Sequence, residues 1–238
     1  MTGSQWFIVT LAAALFCTPA PAHSGTITVF DATSGALVVK VTSIKERRFK
    51  TTVRQQYDFS CGSAALATLL SYHYDDPTSE QDAFAAMYES GDQEKIRKEG
   101  FSLLDIKNYL RERGYQSDGF RITLDKLAEL GVPAIVLIDQ DGYRHFVVVK
   151  GVTRTEILIG DPSKGLRRVS RDRFEPMWNG LSFLIRDKRD VANRNFNQQG
   201  EWNLHPLPPL AAALPDSTLA KITWMMPNRW LAPRIVDF

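Results

Sequence analysis

The chain has 238 residues, 44% of them hydrophobic and 24% charged, with a formal net charge of +2. That length and apolar share support one substantial core with appendages. The near-balanced charge, without a basic block interleaved with aromatics, argues against a nucleic-acid surface, and the lack of a CxxC pair, an HExxH motif or a His/Cys cluster among four scattered histidines argues against a metal centre or other cofactor.

The first 22 residues carry no Lys, Arg, Asp or Glu. Within them Trp6 to Phe16 is an apolar run too short to span a bilayer comfortably, and Ala20-Pro21-Ala22 has the small-x-small pattern at which signal peptides are cut. Residues 1–22 therefore read as a signal peptide, and the mature chain begins near His23 in an export compartment. An uncleaved anchor is the competing reading, because the n-region MTGSQ has no basic side chain. Cleavage removes Cys17 and leaves Cys61 without an internal disulfide partner. A lone cysteine in an oxidising compartment is either sealed in the core or used.

Residues 23–52 read as a small hairpin and a connector: Gly25 to Phe30 alternates as a strand, Asp31 to Gly35 turns, and Ala36 to Thr42 pairs back. Ser43 to Lys50 is a basic, solvated connector, and Thr51 to Val53 a short strand. Next comes Arg54 to Tyr74, RQQYDFSCGSAALATLLSYHY, whose Ala64, Ala65, Leu66, Ala67, Leu69 and Leu70 make a helix apolar almost all round and hence buried. Cys61 falls at its first turn, where free N–H groups and the helix dipole favour a thiolate and predict a lowered thiol pKa. Packing is the plain alternative for a small residue beside a glycine.

Thr78 with Gln81 reads as a capping box for a helix to about Ser90, and Ser102 with Asp105 as one for Leu103 to Arg113, closed by Gly114. Tyr115 to Ile122 reads as a strand and Thr123 to Leu130 as a helix stopped by Gly131. The period then changes. Val132 to Asp139 is a β-branched run, Gln140-Asp141-Gly142 a hairpin turn, and Tyr143 to Val152 a second strand. Glu156 to Ile159 and Leu166 to Val169 follow as strands around the Gly160-Asp161-Pro162 turn, then a short helix from Ser170 through Trp178 and a strand from Leu181 to Ile185. A helical half followed by an antiparallel sheet is an α+β layout. The remainder, with prolines at 206, 208, 209, 215, 227 and 233, reads as an extended tail with a helix near Leu210 to Ile222; its Trp202, Trp224 and Trp230 call for packing on the domain, with docking to a partner as the alternative.

A cysteine nucleophile needs a base, a group that orients the base, and donors for the oxyanion. His145 sits on a strand beside a tight turn, Asp161 ends the next strand, and Gln55, with Gln56 as rival, precedes Cys61 closely enough to point an amide into the same cleft. Each has an ordinary reading as well: a satisfied strand histidine, a turn-forming aspartate, a loop amide.

Taken together, Gln55-(five residues)-Cys61-Gly62-x-Ala64, then His145-Phe146-Val147-Val148, then Ile159-Gly160-Asp161-Pro162 and Lys164-Gly165 resemble the C39 family of papain-like cysteine peptidases. The resemblance covers roughly Val53 to Ile185, a C39-like domain over 53–187 with residues 188–238 as the tail. It implies a papain-like fold with the nucleophile helix packed on an antiparallel sheet, Cys61 as nucleophile, His145 as base, Asp161 as its orienter and Gln55 at the oxyanion hole. No Walker-type GxxxxGK[ST] occurs. The chain is more similar to the stand-alone, exported branch associated with bacterial functional-amyloid secretion systems than to the transporter-fused branch. That likeness implies a periplasmic endopeptidase acting on an exported protein, such as an amyloid subunit or its outer-membrane secretion machinery. The alternatives are a catalytically silent peptide-binding module and a papain-like cell-wall amidase.

Overall fold

The computed structural model describes residues 26–31, 35–40 and 42–203. The expected signal peptide, the helix near Leu210 to Ile222, and Trp224 and Trp230 lie outside the described residues. The chain divides into two compact units, Met1–Ser43 and Ile44–Phe238. The first contains an antiparallel hairpin, β1 (Thr26–Asp31) and β2 (Gly35–Lys40), with Thr26 opposite Lys40. This agrees with the hairpin read from the sequence.

In the second unit, a short helix α1 (Ile44–Arg48) occupies the stretch expected to be a plain connector, and residues 51–53 form no strand. Instead, the Val53 N–H donates to Thr68 Oγ1 at 2.8 Å, which ties the approach segment to the central helix. The helical half continues with α2 (Cys61–His73), α3 (Glu80–Ser90), α4 (Gln93–Glu99) and α5 (Leu103–Glu112). The N-cap of α3 is Ser79, whose hydroxyl accepts from the Asp82 N–H, not Thr78 with Gln81: Thr78 is held one residue earlier by Ser71. The capping box of α5, Ser102 with Asp105, is formed as expected.

The sheet half comprises β3 (Ser117–Arg121), α6 (Leu124–Leu130), β4 (Ala134–Gln140), β5 (Tyr143–Val152), β6 (Glu156–Asp161), β7 (Gly165–Ser170), α7 (Arg171–Met177) and β8 (Trp178–Ile185). The six strands pair in the order β3-β8-β4-β5-β6-β7, antiparallel throughout. The α+β layout read from the change of hydrophobic period is therefore the one found. Consecutive residues Ala134 to Val136 and Val147 to Val149 are all buried, so β4 and β5 are covered on both faces.

Helix α2 packs against β4, β5 and β6. Its residues 61 to 70 are all buried, and Leu66, Leu69 and Leu70 each contribute roughly 2 kcal/mol by leaving water. Gly62 permits the close approach at its start, since a Cβ there would lie 2.8 Å from Phe101 Cβ. Residues 186–203, the described chain beyond β8, are not extended: α8 (Arg189–Arg194) packs against α2, and α9 (Gln199–Trp202) reaches Lys150 of β5 through Glu201. Asn197 between them donates its N–H to Lys150 O at 2.9 Å and exchanges two side-chain hydrogen bonds with the backbone of Val152. This happens where β5 bulges against β6, and only a glycine at 151 leaves room for Asn197 and Trp202. Trp202 therefore packs on the domain, as its size demands.

Candidate active site

Cys61 is the first residue of α2 and is 8% exposed. The N-cap Ser60 does not cap with its side chain; its hydroxyl is engaged with the backbone of Tyr57 at 3.1 Å. The N–H groups of Cys61 and Gly62 are thereby left to the sulfur, and the backbone of Phe146 in β5 supplies a further hydrogen bond to it. The lowered thiol pKa expected from helix position is nevertheless not what the structure gives. Burial pushes the Cys61 thiol up and outweighs these donors, and the negative charge of Asp161 adds to the rise. A helix terminus offers only a partial charge, whereas a buried thiolate forfeits most of its hydration.

His145 lies near the start of β5, opposite Ile138 of β4, and Asp161 closes β6. The β5–β6 register pairs Val148 with Gly160, which sets Asp161 diagonal to His145 on one face of the sheet. Both side chains are buried, and His145 Nε2 meets Asp161 Oδ2 at 3.3 Å. The other carboxylate oxygen, Oδ1, accepts from the Ser163 N–H (2.9 Å), the Ser163 hydroxyl (2.7 Å) and the Lys164 N–H (3.2 Å). Burial alone would raise the Asp161 pKa, but the hydrogen bonds from His145 and Ser163 prevail and hold the carboxyl well below the usual carboxylate range. With Nε2 turned to Asp161, His145 Nδ1 is buried and has no hydrogen-bond partner among the described residues.

Gln55 is tied to the same corner by its backbone, whose N–H donates to Pro162 O at 3.1 Å. Its side-chain Nε2 donates to Tyr57 O at 3.0 Å, while Oε1 is buried without a hydrogen-bond partner among the described residues. The rival Gln56 is exposed. Tyr143 completes the group: its ring lies 5.0 Å from that of His145, and its phenol feels the Gln55 amide and the charges of Cys61 and Asp161. Beside the approach to Cys61, a half-exposed Tyr57 stacks on Phe59 at 5.7 Å and touches Phe84 at 5.4 Å, so apolar surface leads away from the thiol.

The family model described as "Peptidase C39 family" matches residues 50–190, more than half of the chain and all four positions above. The protein belongs to the peptidase C39 family. It is 40% identical over 166 residues to a Pseudomonas fluorescens protein named "Probable functional amyloid protease FapD", covering 69% of this chain and 74% of that one. A Pseudomonas aeruginosa protein of the same name is 43% identical over 152 residues, covering 63% of this chain and 67% of that one. Among solved structures, the peptidase domain of Streptococcus ComA, a bi-functional ABC transporter, is 26% identical and covers 57% of this chain and 96% of that domain, with a TM-score of 0.49.

Cys61, His145, Asp161 and Gln55, singled out in the sequence, thus come from four separate segments of the C39 domain and converge on one corner, linked through Pro162, Phe146 and Tyr143. Two neighbours escaped the sequence reading. Tyr143 had a signal, since it sits two residues from His145 and strand alternation puts both on one face. Arg167, which reaches Asp161 Oδ2 with Nε at 3.2 Å, had none, because its approach depends on the β6–β7 register. Among the described residues no group of three or more His, Cys, Asp or Glu is arranged to hold a metal ion, and no helix is long and apolar enough to cross a membrane.

Proposed function

We propose that this protein is a periplasmic cysteine endopeptidase of functional-amyloid biogenesis, cleaving an exported polypeptide such as the amyloid subunit or a component of its outer-membrane secretion machinery. The observation that carries the catalytic assignment is the state of His145: Nε2 is held by Asp161, and Nδ1 is buried and unpartnered beside the segment whose backbone meets the Cys61 sulfur. The uncharged apolar N-terminus supports export, and the name of the Pseudomonas relatives supports the amyloid setting.

In this reading the extended substrate lies along Tyr57, Phe59 and Phe84 with its scissile carbonyl over Cys61. The Cys61 proton passes to His145 Nδ1 as the sulfur bonds to the carbonyl carbon. The developing oxyanion is met by the Cys61 N–H and the Gln55 amide, and Asp161 steadies the imidazolium. Collapse breaks the C–N bond, and the leaving amine takes the proton from His145. Water then adds to the thioester, gives a proton to His145, and the thiol is restored. Because burial raises the Cys61 pKa, transfer to His145 is a necessary part of attack and not a formality.

The test is cleavage of the purified, unfolded amyloid subunit by the mature protein. Wild type cuts it, and Cys61→Ala and His145→Ala each lose at least about 10³-fold in kcat. Undiminished cutting by Cys61→Ala overturns the assignment. Turnover of peptidoglycan peptides in place of polypeptide moves the protein to the amidase reading.

A further inference from the structure

The carboxylate that faces His145 is shared. Asp161 Oδ1 is fully occupied by Ser163 and the Lys164 N–H, so the group is fixed in rotation and only Oδ2 is available to other partners. That one oxygen meets His145 Nε2 at 3.3 Å and accepts from Arg167 Nε at 3.2 Å, with Arg167 Nη2 an ion-pair contact at 3.1 Å that makes no hydrogen bond. Arg167 stands on β7 opposite Ile159, with its side chain 22% exposed. A guanidinium keeps its charge at every working pH, so it competes with the imidazolium for the same anion permanently.

We propose that Arg167 is a positioning residue of this site, which divides the charge of Asp161 between itself and His145 and so limits how tightly His145 holds its second proton. The inference rests on the reading of His145 as the general base. Its chemical sense is that an imidazolium bound too firmly by its carboxylate is a poor acid toward the leaving amine, and a base works best when its proton affinity is matched to the operating pH.

From the loop before α2, Asp58 acts on Tyr143, and from α2 comes the Cys61 thiol. From β5 the Tyr143 ring lies over His145. From the β6–β7 turn Lys164 gives its N–H to Asp161 while its Nζ donates to Gln140 Oε1 at 2.9 Å. Arg167 is the side-chain cation that bonds the carboxylate itself.

The experiment follows the His145 ring by NMR against pH in the full mature chain carrying Cys61→Ala, with the resonance assigned by its loss in His145→Gln. Adding Arg167→Gln or Arg167→Met moves the titration midpoint up by about one pH unit, because the imidazolium gains the whole carboxylate. Arg167→Lys, which keeps the charge, stays within about 0.3 unit of the parent. No upward shift in the neutral variants, or an equal shift in Arg167→Lys, overturns the proposal. The two neutral replacements guard against one failing to fold, and each is checked by its thermal transition. Cleavage by the Cys61-containing protein is scored separately, so a protein that titrates as expected and never cleaves counts against the peptidase reading and not against charge sharing.

Discussion

A cysteine at a helix start is not activated by that position alone. In this protein burial raises the Cys61 thiol, and on the proposed mechanism His145 has to supply what the helix does not. Iodoacetamide alkylation measures this directly. At pH 7 wild type reacts at least about tenfold faster than His145→Ala, and the variant recovers its rate only as pH rises past the thiol's ordinary value of 9.0. Equal rates at pH 7 would show that Cys61 makes no use of His145. The four residues singled out in the sequence were legible because each sits in a short local string: Cys61-Gly62 before an apolar helix, His145 in a β-branched run, Asp161-Pro162 at a turn, Gln55 just upstream. The direction of the thiol shift was not legible. It depends on β5 closing over the sulfur, a contact between residues more than 80 positions apart in the chain. Arg167 was invisible for the same reason.

At the level of elements, local chemistry served well where it was strong. The Ser102/Asp105 capping box, Gly131 at φ 64 after α6, and Asp141-Gly142 in the β4–β5 turn all stand where the sequence placed them. It failed where an element has little to bury. Helix α4 has a single buried residue, Ile96, and α1 has none, so no periodic apolar stripe announced either. Helix α2 is the converse case, legible as buried yet with its depth set by one glycine. A methyl group on Gly62 would meet Phe101 Cβ at 2.8 Å, and a Cβ cannot swing aside without moving its backbone. Gly62→Ala should therefore cost about 1–3 kcal/mol in denaturant unfolding and displace the first turn that carries Cys61. Activity in the variant should fall further than its lost stability explains, measured as kcat/KM well below the unfolding midpoint. A variant as stable and active as wild type would mean that Phe101 yields easily.

Across the whole second unit, the far end of β5 ties the approach segment and the C-terminal segment together through one buried cation. Lys150 Nζ donates to Thr51 O at 2.7 Å, to Thr51 Oγ1 at 3.0 Å and to Glu201, and it lies over the Tyr72 ring. That arrangement, which no local pattern could announce, explains why residues 190–203, expected to trail away, are docked instead. The Lys150 charge also reaches His73. Neither ring nitrogen of this buried residue makes a well-formed hydrogen bond among the described residues, and burial, aided by that charge and only partly opposed by the Asn195 backbone, depresses its pKa from 6.5 to about 3. The sign follows from which state takes the proton: between about 6.5 and about 3 the unfolded chain binds it and the folded chain refuses it, so stability falls as pH falls. The slope is at most about 1.4 kcal/mol per pH unit, or about 2 kcal/mol between pH 6.5 and pH 5. Asp161 contributes its own loss only below about pH 4, where unfolded carboxylates begin to protonate while the folded one does not. Thermal unfolding at pH 6.5 and pH 5 separates the two. Wild type should lose about 5 °C over this interval, whereas His73→Leu, which fills the site without a group that titrates, should lose much less. If both proteins lose the same amount, the acid sensitivity belongs to another group and His73 takes up its proton without opening the fold.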